Sequence, residues 1–439
     1  MKFQIRVGPT TLVNSNTFLV IAIIAIAAQS LLLFLALFEP GLDYKIDADP
    51  DAPLDSDEFR RTLEALTDAQ VSRGNRIEVL TNGEHYYAAE LAAIRAARAS
   101  VNLEAYIFQK GKVADEFVAA LTERAQAGVK VNLTLDALGS FASWDSYFKP
   151  LRAAGGRVCW YQPLRWYTLP RINNRTHREL IIIDGRVGFI GGSGVADHWR
   201  YPRKGHPPWR DTMFRVEGAA VANLQATFAE NWLEASGEIL TGHEYFPEPV
   251  PVAAHVPSLV VNSSPSLGRS TRARILFQML LASARESILI TTPYFLPDRS
   301  ARAELVRAIK ERGVEIKIIV PGMQSDHALT RNASRRLYGD LLRAGAHIYE
   351  YQPTMIHAKT LVIDGLWSVV GTTNFDNRSF GLNDEVNLAV CDQELAARIT
   401  EDFQRDLAAA SAFSLRDWQH RSVFERAYEL FGWLLERQQ

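Results

Sequence analysis

The stretch Met355–Gly365, MIHAKTLVIDG, decides how we interpret the rest of the sequence. It places His357, Lys359 and Asp364 in the pattern H-x-K-x-x-x-x-D. The apolar, β-branched run Thr360–Ile363 predicts a short buried strand. Because side chains at i and i+2 of an extended segment point the same way, the imidazole and the ammonium should lie together. A proton donor or nucleophile beside a fixed cation suits an anionic phosphodiester.

An earlier stretch, Thr176–Gly185, reads THRELIIIDG and repeats most of this pattern. His177 and Asp184 keep the same spacing, but Glu179 stands where the lysine should be. The two motif histidines are 180 positions apart (357 − 177). The sequence thus contains one complete motif and one altered copy.

These two motifs resemble those of the phospholipase D superfamily, and among its members most resemble bacterial cardiolipin synthases. The segment GTTNFDNRSFGLNDE, Gly371–Glu385, after the complete motif and GGSG, Gly191–Gly194, after the altered one support the resemblance. The similarity runs from about Gln70 to Leu407. It implies an enzyme that forms and resolves a phosphohistidine intermediate.

The resemblance also implies roles for the residues of the two motifs. His177 would be the nucleophile, and His357 would be the general acid and then the general base. Glu385, 28 positions after His357 (385 − 357), would orient that histidine. Asp211, in the sequence WRDT, would be the corresponding partner of His177.

Further residues would bind the phosphate or support the motifs. Lys359, Asn374, Ser193 and Arg378 are the candidate ligands of the substrate phosphate, while Asp184 and Asp364 should hold the architecture of the motifs. No metal or other cofactor is expected, because the sequence has neither an H-E-x-x-H motif nor clustered Asp and His ligands.

Glu179 is the departure from the pattern that matters most. By alternation it should share a face with His177 and point at the phosphate. Two like charges about 4 Å apart repel by roughly 4 kcal/mol at an effective dielectric of about 20. Glu179 could be compensated by pairing with Lys359 or an arginine, or by a replacement cation from Arg175, Arg178, Arg210 or Arg378. Alternatively, the first half could be catalytically weak. We favour compensation.

The chain repeats itself outside the motifs as well. Asp115–Gly128 and Glu304–Gly313 have helical patterns, and each leads into a short apolar strand. LRAAGGRVCWYQP, Leu151–Pro163, is echoed by LRAGAHIYEYQP, Leu342–Pro353. Strands that alternate with helices predict an α/β fold with mainly parallel strands flanked by helices. The resemblance adds that two duplicated phospholipase D-like halves pack about a pseudo-twofold axis.

We divide the chain into six predicted segments. They are a membrane anchor at 1–40, a linker at 41–69, a first half at 70–245 with its motif at 171–198, a connection at 246–266, a second half at 267–410 with its motif at 351–378, and an amphipathic C-terminal helix at 411–439.

The uncharged run Phe18–Phe38 would reach about 31 Å as a helix, which is the thickness of a bilayer core. We favour a retained single-pass anchor in the cell (inner) membrane over a cleaved signal peptide, because the apolar run is long. Lys2 and Arg6 precede it, whereas Lys45 alone follows nearby. The positive-inside rule then places the catalytic part on the non-cytoplasmic side.

Composition excludes some classes of partner. The net charge of −2 argues against a nucleic-acid-binding protein, which usually has a basic excess. The expected partners are phospholipid substrates and the bilayer, and the sequence gives no indication of an oligomeric state.

The tail from Trp418 has an apolar stripe that would lie either on the domain or in the membrane interface. Other histidines, including His198, are interpreted as surface or loop residues.

The anchor, the tail and an insertion at Leu164–Arg175 with Trp166 and Tyr167 all predict a site near lipid. The resemblance then implies phosphatidyl transfer between two phosphatidylglycerols, which gives cardiolipin and glycerol. Two alternatives remain open at the level of sequence. One is a phospholipase D that hydrolyses phospholipid head groups, and the other is a phospholipid-binding scaffold that Glu179 has made inactive.

Overall fold

The structure is a computed structural model that describes residues 15–38, 43–47, 50–165, 173–203, 205–248, 252, 256–265, 271–422 and 426. The chain forms two compact units, of which the first holds helix α1, Ser15–Phe38, and the second holds every described strand. Within the described ranges, no helix is both long and apolar enough to cross a membrane. The predicted spanning anchor, and the sidedness deduced from it, therefore find no support.

The first part of the second unit contains eight described strands and five described helices. The strands are β1 Ser72–Thr81, β2 Ser100–Ala105, β3 Lys130–Asp136, β4 Arg157–Tyr161, β5 Arg175–Thr176, β6 Leu180–Ile183, β7 Val187–Gly191 and β8 Thr212–Gly218. The helices are α2 Asp57–Thr67, α3 Gly83–Ala96, α4 Lys112–Gln126, α5 Lys149–Ala153 and α6 Ala220–Ser236.

The second part follows a matching course. Its described strands are β9 Val256–Ser263, β10 Ser287–Thr291, β11 Phe295–Leu296, β12 Glu315–Pro321, β13 His347–Tyr351, β14 Thr360–Ile363, β15 Trp367–Gly371, β16 Phe375–Asp376, β17 Asn383–Cys391 and β18 Ala410–Phe413. Its described helices are α7 Arg272–Ser283, α8 Arg299–Arg312, α9 Ala328–Ala344, α10 Asn377–Gly381, α11 Gln393–Ala408 and α12 Leu415–Gln419. The strand predicted at Thr360–Ile363 is confirmed by β14.

One large sheet joins both parts. Its order is β18, β13, β12, β10, β14, β15, β17, β9, β1, β8, β7, β6, β2, β3, β4. Read outward from the antiparallel β9–β1 junction, β17, β15, β14, β10, β12 and β13 match β8, β7, β6, β2, β3 and β4 in order. This repeated order agrees with the duplication seen in the sequence.

The prediction of mainly parallel strands is wrong, because the fold is a mixed α/β fold whose sheet is mostly antiparallel. Among the described strands of the main sheet, β2–β3–β4 and β10–β12–β13 run parallel, and β5 pairs in parallel with β17. The motif strands β6 and β14 instead form hairpins with β7 and β15. The turns hold Asp184 and Asp364 at φ values of 52° and 51°, each followed by a glycine, which reverses the chain.

Two predicted connecting segments contain regular structure. The linker holds α2, whose Phe59 and Leu63 are buried in the core and whose Phe59 ring lies 5.9 Å from that of Trp367. The connection at 246–266 holds β9, a central strand paired with both β1 and β17. Proline and serine interrupt the apolar patterns of these segments, so the sequence predicted connections without regular structure. Tertiary packing nevertheless stabilises α2 and β9.

Of the helix predicted over 411–439, the structure describes residues 411–422 and 426. Residues Ala410–Phe413 form β18, which pairs antiparallel with β13, whereas α12 and residue 426 are helical. The Trp418 indole donates to the Arg335 carbonyl over 3.0 Å and lies 4.7 Å from the Arg343 guanidinium. This part of the tail therefore docks on the domain, whereas most of the predicted stripe lies outside the described residues.

Both faces of the central strands are buried. On β9, Leu259 and Val261 face one core cluster, while Val260 faces another that contains residues of α6 and α11. This second cluster joins side chains of both parts, such as Phe228 and Leu388. Burial of a large apolar side chain contributes roughly 1.5–3 kcal/mol, so the shared core fixes the two parts firmly together.

Candidate active site

Each motif histidine lies in an extended segment just before a strand, and its backbone is bonded to the other half of the chain. The His177 N–H donates to the carbonyl of Asp384 over 2.9 Å. The His357 N–H donates to the carbonyl of Arg210 over 2.7 Å. The position of each histidine therefore depends on both halves.

Each imidazole is also oriented by a carboxylate from the opposite half. His177 Nδ1 lies 3.0 Å and 3.1 Å from the two carboxylate oxygens of Glu385. His357 Nδ1 lies 2.9 Å from Asp211 Oδ2. The pairing predicted from sequence, Glu385 with His357 and Asp211 with His177, is therefore wrong, although all four residues belong to the two pairs.

The backbone explains why the pairs are crossed. β5, which directly precedes His177, pairs in parallel with the start of β17, where Glu385 lies. In the same way, Ile356 forms a parallel bridge with Arg210, which directly precedes Asp211. Each carboxylate follows its own motif in the sequence, but strand pairing places it against the histidine of the other motif.

The hydrogen bonds determine the free nitrogen of each ring. An ionised carboxylate only accepts, so the Nδ1 atoms of His177 and His357 must each carry the proton. Nε2 of His177 is then left for substrate, while Nε2 of His357 lies 3.3 Å from Lys359 Nζ. Glu385 and Asp211 are fully buried, whereas the His177 side chain is 13% exposed. The carboxylates that hold the two rings are thus buried, whereas the His177 ring is partly accessible to solvent.

Lys359 lies between the two pairs. Its buried Nζ donates to the His357 carbonyl over 3.0 Å and lies 3.1 Å from His357 Nδ1. The carboxylates of Asp211, Glu385 and Glu179 all attract this ammonium. Because the partners of both histidines act on one ammonium, the two motifs form one electrostatic site.

Burial shapes the protonation of this cluster. Burial, and then the charge of Lys359, lower the pKa of His357, while the hydrogen bond to Asp211 opposes them. Burial also lowers the pKa of Lys359, against the attraction of Asp211. Burial alone would raise the pKa of Asp211, but the hydrogen bond from His357 and the nearby positive charges lower it.

The segments after β7 and β15 line the same region. A side chain at Gly192 would come within 2.8 Å of Asp211 Oδ1 and 3.0 Å of Lys359 Nζ, so only glycine fits. Ser193 is buried beside the hydroxyl of Tyr86. Asn374 is buried, and its Oδ1 accepts no hydrogen bond from the described residues.

The two motif aspartates bind backbone amides and lie away from the histidines. Asp184 accepts the amides of residues 98, 99 and 100 at 2.7–3.1 Å. Asp364 accepts those of residues 285, 286 and 287 at 2.8 Å. Each carboxylate thereby ties its hairpin turn to the start of the neighbouring strand, β2 or β10, which is a structural role.

We expect Asp364→Ala to lower the free energy of unfolding by about 2–4 kcal/mol, because three amides lose their acceptor and alanine is strained at positive φ. Asp364→Asn should lose only about 1 kcal/mol, since asparagine keeps an acceptor and tolerates this conformation. Denaturant unfolding measures both. Equal stability of the alanine variant and the parent protein would contradict this role.

Comparison with known families settles the relationship. A family model described as cardiolipin synthase, phospholipase D-like domain, matches residues 90–200 and 277–407. The chain belongs to the cardiolipin synthase family. It is accordingly an enzyme of the phospholipase D type, a phosphatidyltransferase, as the resemblance in the sequence predicted.

Similar members of the cardiolipin synthase family come from several bacteria. Cardiolipin synthase 1 of Bacillus anthracis is 33% identical over 363 residues, which cover 81% of this chain and 70% of that protein. The major cardiolipin synthase of Bacillus subtilis is 35% identical over 373 residues, which cover 84% and 76%. A phosphatidylserine synthase from Haemophilus influenzae has the same fold, with a TM-score of 0.67 and 13% identity over 87% of this chain and all of that one.

Within this cardiolipin synthase site, Glu179 has a defined place. Its Oε1 accepts the backbone amides of Tyr106 and Ile107 at 3.1 Å and 3.3 Å. Burial raises its pKa well above the usual range, although the two amides and the charge of Lys359 oppose this. Glu179 therefore holds the end of β2, and the charge of Lys359 acts on it without an ion pair between the two side chains among the described residues, so that compensation stays a prediction.

The four candidate arginines are engaged with the protein. Arg178 binds the Thr227 carbonyl and Glu230, in and beside α6, and Arg210 binds Asp406 of α11. Both point away from the histidines. Arg175 binds the Gln162 carbonyl, and Arg378 binds Asn173. Arg175 and Arg378 are close enough to lower the pKa of Tyr106, which burial raises overall.

Sequence reasoning missed two tyrosines that contact the histidines. The ring of Tyr106 lies 5.5 Å from that of His177, and the ring of Tyr294 lies 6.5 Å from that of His357. Both follow the central strand of a half, β2 or β10. Their matching positions in the internal repeat, LEAYIF and TTPYFL, were the available signal.

His198, interpreted from the sequence as a surface or loop residue, lies in a short turn between β7 and β8 and is half-buried. Its ring lies 4.2 Å from that of Trp199 and 4.0 Å from that of Trp209. Burial lowers the pKa of His198 to about 3, with the neighbouring His357 acting in the same direction. Both tryptophans also contact the His357 ring, at 5.5 Å and 5.7 Å, so this aromatic group packs behind the second histidine.

A search of the described ranges finds no group of His, Cys, Asp and Glu side chains that could hold a metal ion. The insertion with Trp166 and Tyr167 lies outside the described residues. The described residues that the structure brings together are two imidazoles, two carboxylates and one lysine.

Proposed function

We propose that the protein joins two phosphatidylglycerols into cardiolipin and glycerol through a phosphohistidine intermediate. One observation carries the proposal: each of two histidines is held by a carboxylate of the other half, around a single buried lysine. Nε2 of His177 supplies the nucleophile, and His357, when it is protonated on both ring nitrogens, supplies the proton donor that displacement at a phosphodiester needs.

In the first step, we assign the attack to His177. Its Nε2 bonds to phosphorus, and the bond from phosphorus to the glycerol head group breaks. His357 donates its Nε2 proton to the departing alkoxide, so glycerol leaves neutral. Lys359 and Asn374 stabilise the charge on the phosphoryl oxygens.

In the second step, the head-group hydroxyl of another phosphatidylglycerol enters where glycerol left. His357 removes its proton while its oxygen bonds to phosphorus, and the bond from phosphorus to His177 breaks. This returns both imidazoles to their starting state and releases cardiolipin. Water in place of the alcohol would instead give phosphatidic acid.

Labelled phosphatidylglycerol and the purified full chain test the proposal. Cardiolipin and glycerol in equal amounts are expected, together with acid-labile phosphate trapped on His177. Phosphatidic acid would show a hydrolase instead, and binding without turnover would show a scaffold. A His177→Ala variant that keeps full activity would remove the assignment of the nucleophile.

A change of Lys359 to methionine should move one limb of the pH profile. The charge of Lys359 helps to lower the pKa of His357, so its removal should raise that pKa. A general acid is lost as the pH rises through its pKa, so the descending limb of kcat/KM should move to higher pH. The maximal rate should fall about 10²–10³-fold, because a charge on the transition state loses its partner.

Lys130→Met is the matched control for this experiment, because Lys130 is exposed at the start of β3. It should leave both limbs and the maximal rate unchanged. If the ascending limb moves instead in the Lys359 variant, His357 acts as the base or nucleophile and the two roles must be exchanged. The other charged groups that act on His357, Asp211 and Asp326, are present in every variant.

We also propose that the protein works attached to a bilayer. The substrates are lipids, and most of the described side chains of α1 are apolar and exposed, such as Leu19 at 58% and Ile26 at 63%. The full chain should sediment with membranes and resist extraction by high salt. Recovery of the full chain in the soluble fraction would contradict this attachment.

A further inference from the structure

The second unit exposes few large apolar side chains, and most of them follow particular strands. Among its described residues, those that are exposed are Leu66, Leu138, Phe141, Trp144, Leu164, Leu233, Ile239, Phe246 and Met323. Leu138, Phe141 and Trp144 follow β3, Leu164 follows β4, and Met323 follows β12. We call these five residues the apolar rim.

The rim lies at the end of each half where the histidine lies. β6 runs antiparallel to β2, with Leu180 opposite Glu104, so the chain before β6 meets the end of β2. β3 and β4 run parallel to β2 and end at the same edge. The pairing of β14 with β10 repeats this arrangement in the second half.

The loop that carries most of the rim is held rigidly. Asp136 Oδ1 accepts the amides of Leu138 and Gly139 at 2.9 Å and 3.0 Å. The Phe141 and Trp144 rings contact each other at 4.9 Å, yet they are 59% and 64% exposed. Because the backbone is fixed, these rings cannot turn inward to hide from water.

The same loop is bonded to the first histidine. Ser140 Oγ donates to the Tyr106 carbonyl over 2.8 Å and accepts the Phe108 amide over 2.9 Å. Tyr106 packs against His177, and Asp136 accepts the amide of Thr176, which precedes that histidine. Any surface that binds the Phe141 and Trp144 rings is therefore connected to His177 by two routes, through Tyr106 and through Asp136.

The loop after β12 repeats the arrangement at the second histidine. Met323 is 72% exposed. Three residues later, Asp326 accepts the hydroxyl of Tyr294 at 3.0 Å and 2.8 Å. Tyr294 in turn contacts His357. Each half thus carries exposed apolar side chains on a loop that is connected, through one tyrosine, to its own histidine.

Charge around the rim suits an anionic surface. Lys110, Lys112 and Lys149 are exposed near the loop, and Lys110 lines the same surface hollow as Trp144. Among the acidic neighbours, Asp145 binds Arg152 at 2.7 Å, whereas Asp115, which lines the same hollow, accepts the hydroxyl of Tyr147 at 2.6 Å. Tryptophan at the head-group level and lysines toward the lipid phosphates are typical of membrane-interface contacts.

We infer that the apolar rim is a docking surface for a bilayer of anionic phospholipid, and that it sets the two histidines at the level of the lipid head groups. This inference rests on the proposed function, because it assumes that the substrate is drawn from a bilayer. It explains why exposed apolar side chains stand on these loops, why each half carries at least one of them, and why each loop is connected to a histidine.

A double variant of the full chain, Phe141→Ser with Trp144→Ser, tests the docking surface. On phosphatidylglycerol vesicles, we expect the KM for bulk lipid to rise roughly tenfold or more, because two interfacial aromatic side chains are lost. On short-chain phosphatidylglycerol kept as monomers, kcat/KM should change less than about twofold, since both residues are exposed and lie outside the catalytic cluster.

Ile239→Ser is the matched control. Ile239 is 69% exposed, but it lies beside Lys130 and Arg157, where β3 and β4 begin, at the opposite end of these strands. It should leave both substrates unaffected. An unchanged vesicle KM in the double variant would overturn the inference, as would an equal loss on monomeric lipid. A change of oligomeric state on light scattering would instead make the rim an interface between copies.

A separate measurement keeps docking distinct from the proposed reaction. Brominated phosphatidylglycerol in vesicles should quench part of the tryptophan fluorescence of the parent protein, and Trp144→Phe should remove that part. Absence of turnover on either lipid with this quenching present would defeat the proposed function alone. Turnover without any quenching from Trp144 would defeat the docking surface alone.

Discussion

Glu179→Lys, which restores the standard motif, should reduce turnover at least about 100-fold. Glu179 accepts the amides of Tyr106 and Ile107, and a lysine cannot accept either of them. A buried amide without a partner costs about 1–3 kcal/mol. The new ammonium would also face the buried Lys359, whose charge already acts on Glu179. Tyr106 should then lose its position against His177.

Glu179→Gln is the matched control, because its amide oxygen keeps both backbone contacts without a charge. We expect it to retain activity within about tenfold of the parent protein. Denaturant unfolding should be measured for both variants, so that activity is compared per folded molecule. If Glu179→Lys keeps or raises turnover, Glu179 is only a tolerated replacement and the first half is weakened by it.

The crossed pairs predict which chemical step each carboxylate supports. Asp211→Asn and Glu385→Gln should each lower turnover of phosphatidylglycerol about 10²–10⁴-fold, because an amide no longer fixes the tautomer of its histidine. Asp211 contacts the proposed general acid, His357, whereas Glu385 contacts the proposed nucleophile, His177. The two variants should therefore fail at different points of the reaction.

A phosphatidyl ester with an aryl leaving group separates these failures, because such a group departs without a proton. It should restore the first step of Asp211→Asn to within about tenfold of the parent protein, measured as the burst of phenolate. Glu385→Gln should show no such recovery. Recovery of Glu385→Gln alone would mean that Glu385 orients His357, as its position after the second motif predicted, contrary to the structure.

The local structure near the motifs could be predicted because the responsible interactions are local. Thr360–Ile363 is a β-branched run between turn residues, and it forms β14 with those bounds. The helices predicted from the internal echoes at Asp115–Gly128 and Glu304–Gly313 are present as α4 and α8. Amphipathic periodicity is sufficient for such elements.

What could not be predicted depends on contacts between distant segments. β9 contains Pro257 and two serines, Ser258 and Ser263, and becomes a strand because β1 and β17 pair with it on both sides. Spacing after the motifs identified Glu385 and Asp211 as carboxylates of the site. It could not show which histidine each one binds, because that depends on how β5 and β17 pair across the halves.

The exchange of partners between the halves has a consequence during synthesis on the ribosome. When His177 emerges, the residue that fixes its tautomer, Glu385, has yet to be translated, and the lysine at 359 is also missing. An unfinished polypeptide therefore carries an unsupported imidazole, and by the mechanism proposed above it could not attack a phosphodiester. Reactivity appears only once β17, near the carboxyl terminus, has folded into place.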